Sequence, residues 1–145
     1  MKLYVNLFCQ DIVAQMQFYA TLLGLPEARH SRSPIFRAIE TAGFQFGFHA
    51  PPAYALLSLT DRKPRVATPA DVSAYPTFML ESPDAVNQGC ARAAELGGRV
   101  IKRPYATYYG EWQAVLDDPE GHVFRLSTPC LPIGVEASTL QLPES

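Results

Sequence analysis

The chain has 145 residues, 48% hydrophobic and 18% charged, with a formal net charge of −2. That length bounds it to one domain or two small modules sharing a core, and the composition is that of an ordinary globular chain. No basic stripe marks nucleic acid as a partner, and the apolar runs are too short for a membrane span.

The first residues lack the apolar core and cleavage site of a signal peptide, so a cytoplasmic location is expected. The three cysteines, Cys9, Cys90 and Cys130, are widely spaced, with no Cys-x-x-Cys or Cys/His cluster that would suggest zinc. Cys9 and Cys90 fall in apolar periodic runs and read as small core residues.

Lys2 to Gln10 reads as a strand. One parity holds Val5, Leu7 and Cys9, suited to lie under a helix; the other holds Tyr4, Asn6 and Phe8, a mixed aromatic and polar surface. Asp11 is placed to cap a helix carrying Ile12, Met16, Tyr19 and Leu23 at helical spacing. Gly24 stops it, and Pro26 prevents its return. Strands are expected over Ala28 to Ser31, Phe36 to Glu40 and Phe44 to His49, giving a βαβββ order. After Ala50-Pro51-Pro52-Ala53, Tyr54 to Leu59 reads as a short extra strand or edge segment. Thr60 to Ala74, with its charged, proline and small residues, reads as a linker.

A second copy begins at Tyr75. Pro76 to Leu80 reads as a strand, and Ser82-Pro83 as a cap followed by proline at the first helical position. Asp84 to Leu96 reads as a helix closed by Gly97-Gly98. Arg99 to Lys102 is a strand, and Pro104 to Gly110 an aromatic-rich loop. Trp112 to Leu116 and His122 to Ser127 are short apolar runs. The turn Asp117-Asp118-Pro119-Glu120-Gly121 between them makes a hairpin. Tyr4 overlays Tyr75 at a shift of 71 residues, and the helix stops Gly24 and Gly97 at 73. A supersecondary order repeated at a nearly fixed offset is stronger than any single match. The expected organisation is residues 1–60 as the first module, 61–74 as linker, 75–130 as the second module and 131–145 as a tail.

The duplicated βαβββ order and the segment Asp117-Asp118-Pro119-Glu120-Gly121-His122-Val123-Phe124-Arg125-Leu126 resemble the vicinal oxygen chelate superfamily. That group holds glyoxalase I, extradiol dioxygenases, fosfomycin-resistance enzymes and bleomycin-binding proteins. The resemblance implies an α+β fold: two tandem βαβββ modules forming a curved, open mixed sheet with helices on the outside and the ligand in the trough. It also implies which residues face that trough, namely Tyr4, Asn6, Phe8, Gln45, Gly47, His49, Tyr75, Thr77, Met79, Val123, Arg125 and Ser127. A homodimer is expected by the same resemblance, with the tail after Leu131 lying across the partner.

In the metal-dependent members, metal ligands come from the first and last strands of each module. Carried over, these positions are Tyr4, Gly47, Tyr75 and Arg125, or Asn6 and Thr77 for the first strands if the overlay slips by one pair. The family's metal-binding Glu is here Arg125, which offers only donors and a permanent positive charge. No metal and no cofactor is therefore expected. Arg125 needs a partner if buried. That partner is either a ligand carboxylate or phosphate gripped bidentately, or an internal carboxylate such as Glu40, Glu81 or Glu111. Tyr4, Tyr75, Tyr108 and Trp112 offer flat surfaces and polar tips, as a pocket for a planar molecule would. The candidate ligand-binding set is thus Tyr4, Asn6, His49, Tyr75, Thr77, Tyr108, Trp112 and Arg125. His49 is also a candidate metal ligand or acid/base group, whereas His122 reads as a surface residue and His30 as a loop residue. The leading expectation is a metal-free small-molecule binder. The alternatives are a lyase, isomerase or dioxygenase-type enzyme with a divergent metal or metal-free site, and an interaction module whose trough is filled by its own side chains.

Overall fold

In the computed structural model, which describes residues 1–65 and 71–143, the chain divides into two compact units. One comprises Met1–Asp71 with Asp118–His122; the other comprises Val72–Asp117 and Val123–Ser145. Residues 66–70, within the expected linker, lie outside the described residues.

The first unit contains β1 (Leu3–Phe8), α1 (Ile12–Leu23), β2 (Phe36–Glu40), β3 (Phe44–His49) and α2 (Ala53–Leu56). Its sheet has the order β1-β3-β2, with β1 parallel and β2 antiparallel to β3. Helix α1 starts because the Asp11 carboxylate accepts the Ala14 N–H at 2.9 Å, and it stops at Gly24, whose φ of 65° suits glycine. Its inner side buries Ile12, Met16, Phe18 and Tyr19. The Tyr19 ring meets Phe46 edge-on at 4.8 Å and stacks over Phe48 at 5.5 Å. Burying aliphatic or aromatic side chains like these stabilises by about 1.5–3 kcal/mol each.

Two expectations for this unit are corrected. Ala28 to Ser31 is not a strand: Arg29–Ser31 forms a 3-10 turn, and the isolated bridges Glu27–Ile39 and Ser33–Phe36 tie the segment to β2. The physical reason is the Glu27 carboxylate, which accepts from Arg32 Nε at 2.8 Å and lies 3.5 Å from Arg37 Nε, curling the chain onto itself. Tyr54 to Leu59 is not an edge strand either. Pro52 sits in helical conformation at φ −58°, so Ala53–Leu56 winds into α2.

The second unit contains β4 (Thr77–Met79), α3 (Pro83–Glu95), β5 (Arg99–Ala106), β6 (Trp112–Asp117) and β7 (Val123–Thr128), in the sheet order β4-β7-β6-β5. β4 is parallel to β7; the other neighbours are antiparallel. Ser82 Oγ accepts the Ala85 N–H at 3.1 Å and Pro83 opens the helix. Val86, Cys90 and Ala93 of α3 are buried, as are Ala114, Leu116, Phe124 and Leu126 of the sheet. The aromatic-rich loop is shorter than expected because β5 continues through Tyr105 and Ala106, with register shifts on either side of Lys102. Part of the tail lies on its own unit: Ser138 N–H donates to Thr107 O at 3.1 Å, and its hydroxyl to Ala106 O.

The fold is therefore α+β, with open mixed sheets, each carrying a helix on one face. Cys9 and Cys90 are buried; burial pushes both thiols up, that of Cys90 to about 11.

Candidate functional site

Strand pairing decides which residues stand opposite one another. In the first unit Asn6 pairs with Gly47 and Tyr4 with Gln45; in the second, Thr77 pairs with Arg125. Of the two registers the sequence left open, the first-strand residues beside Gly47 and Arg125 are thus Asn6 and Thr77. Tyr75 precedes β4.

On the helix-free face of the first sheet, the space at Gly47 is already taken. A Cβ there would overlap Asn6 Oδ1 and lie 2.5 Å from the Phe36 ring. His49 is flanked by Phe36 at 4.7 Å and Phe8 at 5.9 Å between ring centroids. Its Nδ1 is buried without a hydrogen-bond partner among the described residues, and desolvation lowers its pKa. The imidazole is therefore neutral near pH 7. Phe8 stacks on Tyr54 at 3.7 Å, and the Lys63 ammonium lies 5.5 Å from the Tyr54 ring. Tyr4 is exposed, with the Lys2 ammonium 5.6 Å from its ring. This face is aromatic and closely filled.

The helix-free face of the second sheet is polar. Arg125 Nε donates to Thr77 Oγ1 at 2.9 Å, and Nη1 donates to the Tyr109 hydroxyl at 3.3 Å. The guanidinium carbon lies 5.0 Å from the Tyr75 ring centroid. Among the described residues no carboxylate pairs with it. Glu111 accepts from Ser127 Oγ at 2.6 Å, and Glu40 takes Lys2 and His30. The bonds continue: Tyr109 O–H donates to Gln113 Oε1 at 2.9 Å, and Gln113 Nε2 donates to the Tyr105 hydroxyl at 2.7 Å. Tyr108 is exposed and packs edge-on against Tyr109. Trp112 is corrected. It shares parity with the buried Ala114 and Leu116, on the side that α3 covers, and its indole N–H donates to Asn87 Oδ1 of α3 at 2.9 Å. Gln113 occupies the open face instead.

The turn Asp118–His122 makes a third constellation, within the first unit. The Asp118 N–H donates to His122 O at 3.0 Å and the Gly121 N–H to Asp118 O at 2.9 Å, closing the turn. The Asp118 side chain is fully buried. It accepts from Gln15 Nε2 at 3.1 Å, Tyr19 O–H at 2.8 Å, and the Glu120 and His122 N–H groups. His122 Nδ1 lies 3.1 Å from Asp118 Oδ2, and Nε2 is 3.0 Å from the Phe8 carbonyl. Both ring nitrogens face acceptors, which favours the protonated imidazole; Gln15 Nε2 also lies 3.4 Å from Nδ1. Burial opposes that charge, but Asp118 and the Phe8 carbonyl raise its pKa above the ordinary histidine value. Burial likewise opposes the Asp118 charge, while His122, Gln15 and Tyr19 hold its pKa down. Glu120 accepts the N–H groups of Gln10 and Asp11 at 2.6 and 3.0 Å. His122 is thus half of a partly buried ion pair rather than a surface residue.

A family model for the glyoxalase-like domain matches residues 3–127. The chain belongs to that family. A glyoxalase/bleomycin resistance protein/dioxygenase family enzyme from Burkholderia phytofirmans PsJN is similar to it at 38% identity, over 86% of this chain and 95% of that one, with a TM-score of 0.79. A glyoxalase-related enzyme from Fulvimarina pelagi shares the fold at 19% identity, over 99% of both chains, with a TM-score of 0.73. So does a glyoxalase/bleomycin resistance protein/dioxygenase from Nocardioides, at 19% identity over 97% of this chain and 89% of that one, TM-score 0.66. No curated protein matches the chain. Among the described residues no helix is long and apolar enough to cross a membrane.

At the positions to which the resemblance assigns a metal, the residues present do not fit a divalent cation. Gly47 supplies no donor, and Asn6 and Phe36 fill its space. Arg125 brings a positive charge that repels a second cation. Among the described residues no three His, Cys, Asp or Glu side chains group with metal-binding geometry. Sequence reasoning missed the Gln15–Tyr19–Asp118–His122 cluster because its members lie about a hundred positions apart. It also missed Gln113 and Tyr105, although the parity shared by Gln113 and Ser127 with Arg125 was there to be read.

Proposed function

We propose that this glyoxalase-like protein binds a small, planar organic anion on the open face of its second sheet, without a divalent metal. The carrying observation is Arg125: a half-buried guanidinium whose partners are two hydroxyls and a ring, with no carboxylate among the described residues. Its charge is oriented by Thr77 and Tyr109 and left for a ligand carboxylate, while Tyr75 and Tyr108 offer flat surface for the ring. A calorimetric screen of anionic and neutral aromatic compounds tests this. Arg125→Ala should weaken the best anion by about 10- to 100-fold, the value of a charged hydrogen-bond pair. Arg125→Lys should not restore it, because a point charge does not reproduce the planar fork. Preferred binding of neutral compounds, or unchanged anion binding by Arg125→Ala, would refute the reading. So would a saturable rise in melting temperature with zinc, nickel, manganese or iron that a chelator reverses.

A second reading is an enzyme of the lyase, isomerase or dioxygenase type. It is favoured by His49, whose neutral imidazole presents an unpartnered nitrogen suited to accept a proton. Turnover of any bound compound that survived His49→Gln unchanged would remove it. A homodimer belongs to the same proposal: β1 and β4 are edge strands within their sheets, and edges need cover. A monomer in sedimentation at micromolar concentration would contradict it.

A further inference from the structure

The hydrogen bonds on the second sheet run in one direction. Arg125 has only protons to give, so the Tyr109 hydroxyl accepts from it and turns its own proton to Gln113 Oε1. That fixes the amide, since its oxygen is used toward Tyr109 and its Nε2 must point to Tyr105. Gln113 is itself 2% exposed, so its amide is locked. The Tyr105 hydroxyl is thereby made an acceptor on its inner side. Its own proton has no acceptor among the described residues. The Lys102 ammonium sits 3.7 Å from the Tyr105 ring centroid and holds the ring in place.

We infer that this face selects carboxylates that carry a second hydrogen-bond acceptor, such as a ketone or ether oxygen. The carboxylate is taken by Arg125 and the second oxygen by the Tyr105 hydroxyl, with Gln113 as the positioning residue that dictates which way the hydroxyl points. The inference rests on the anion-binding reading above and adds the second contact. A group that only accepts is welcome at Tyr105, and an isosteric alkyl group leaves the hydroxyl unpaired, so discrimination arises without any change in ligand shape.

The probes are benzoates bearing an acetyl group at ring position 3 or 4 and their isopropyl counterparts, titrated calorimetrically at pH 7. Wild-type protein should prefer the better acetyl compound over its isopropyl partner by about 2- to 13-fold, the value of one added neutral hydrogen bond. Tyr105→Phe should reduce that preference to near unity. Gln113→Glu should also abolish it. A carboxylate accepts from both tyrosines, so Tyr105 would turn its proton inward; the added negative charge weakens both probes alike and cancels in the ratio. Arg125→Ala should weaken both probes together. If the isopropyl compounds bind and depend on Arg125 but the wild-type preference is absent, or if it survives Tyr105→Phe, the relay inference falls and the anion reading stands. If neither probe binds the wild type, both fall.

Discussion

Asn6 opposite Gly47 and Thr77 opposite Arg125 are the same two positions in the two halves of the molecule, and they have gone opposite ways. In the first unit the last-strand residue is a glycine, and Asn6 and Phe36 fill the space a side chain there would need. In the second the last-strand residue is an arginine, held by hydroxyls and a ring. The first face is filled by packing; the second is lined with oriented donors. A duplicated fold keeps its backbone pairing while the chemistry of each copy drifts independently, because strand register depends on the helix-facing parity and leaves the other parity free.

The largest expected effect breaks the first side of that contrast. Asp118→Ala removes the acceptor for Gln15, Tyr19, two backbone N–H groups and the His122 cation. Breaking a buried ion pair by removing one partner costs about 3–5 kcal/mol. The lower end applies here, since the imidazole can shed its proton. Urea unfolding should show that loss; a change below about 1 kcal/mol would mean the turn is not what secures the first unit.

Next in size is Gly47→Ala. The added methyl displaces Asn6 and Phe36, and overpacking of this kind costs about 1–3 kcal/mol. Combining it with Phe36→Ala, which removes one of the two side chains in the methyl's way, should make the two changes cost less together than the sum of each alone. Strict additivity would show that Phe36 is not what fills the site.

The pair also sets a pH window. The His122 pKa is raised on folding above its ordinary 6.5, so its contribution is complete below that value and fades as pH rises through the folded value. The Asp118 pKa is lowered on folding below its ordinary 3.8, so its contribution is present above 3.8 and fades as pH falls through the folded value. Stability from this pair is thus greatest between the two ordinary values. Cys9, Glu120 and Tyr19 also face the cluster; the Cys9 thiol is pushed up by burial and stays neutral across this window. His122→Asn should flatten the alkaline decline. Were that decline unchanged in the variant, some other group would be responsible for it.

Local chemistry explains which parts of this were readable from sequence. The Asp11 and Ser82 caps, the Gly24 stop and the hairpin turn each depend on residues within four positions of one another, and each is found in place. The parity of Phe46, Phe48, Phe124 and Leu126 placed the core correctly, because alternation in a strand is a local property. Ala28 to Ser31 failed as a strand because the chain turns at Arg29–Ser31, where Arg32 reaches back to Glu27, a contact no hydrophobic pattern encodes. Tyr54 to Leu59 failed because Pro52, fixed at a helical φ, starts α2 at Ala53. Trp112 was weighed for its aromatic surface when its parity with Ala114 and Leu116 already placed it on the helix-covered side. The ring of donors from Arg125 to Tyr105 needed the register of three strands at once, and short apolar runs do not fix that.

The smallest expected effect tests the other side of the contrast. Arg125→Ala should change stability by less than about 1 kcal/mol while it weakens anion binding, because its partners are neutral hydroxyls that water can satisfy. The side chain is only half buried, and with no carboxylate pairing it among the described residues, removing the cation strands no opposite charge. Thr77 and Tyr109 lose one donor each, and Tyr109 keeps its bond to Gln113. Tyr75, itself exposed, loses a cation at 5.0 Å from its ring, a weak contact at such a site. The same urea titration used for Asp118→Ala gives the comparison directly. A loss as large as that of Asp118→Ala would make Arg125 a structural element of the second unit. The two faces would then differ in chemistry but not in purpose, and the guanidinium would have to be explained by what it holds together and not by what it awaits.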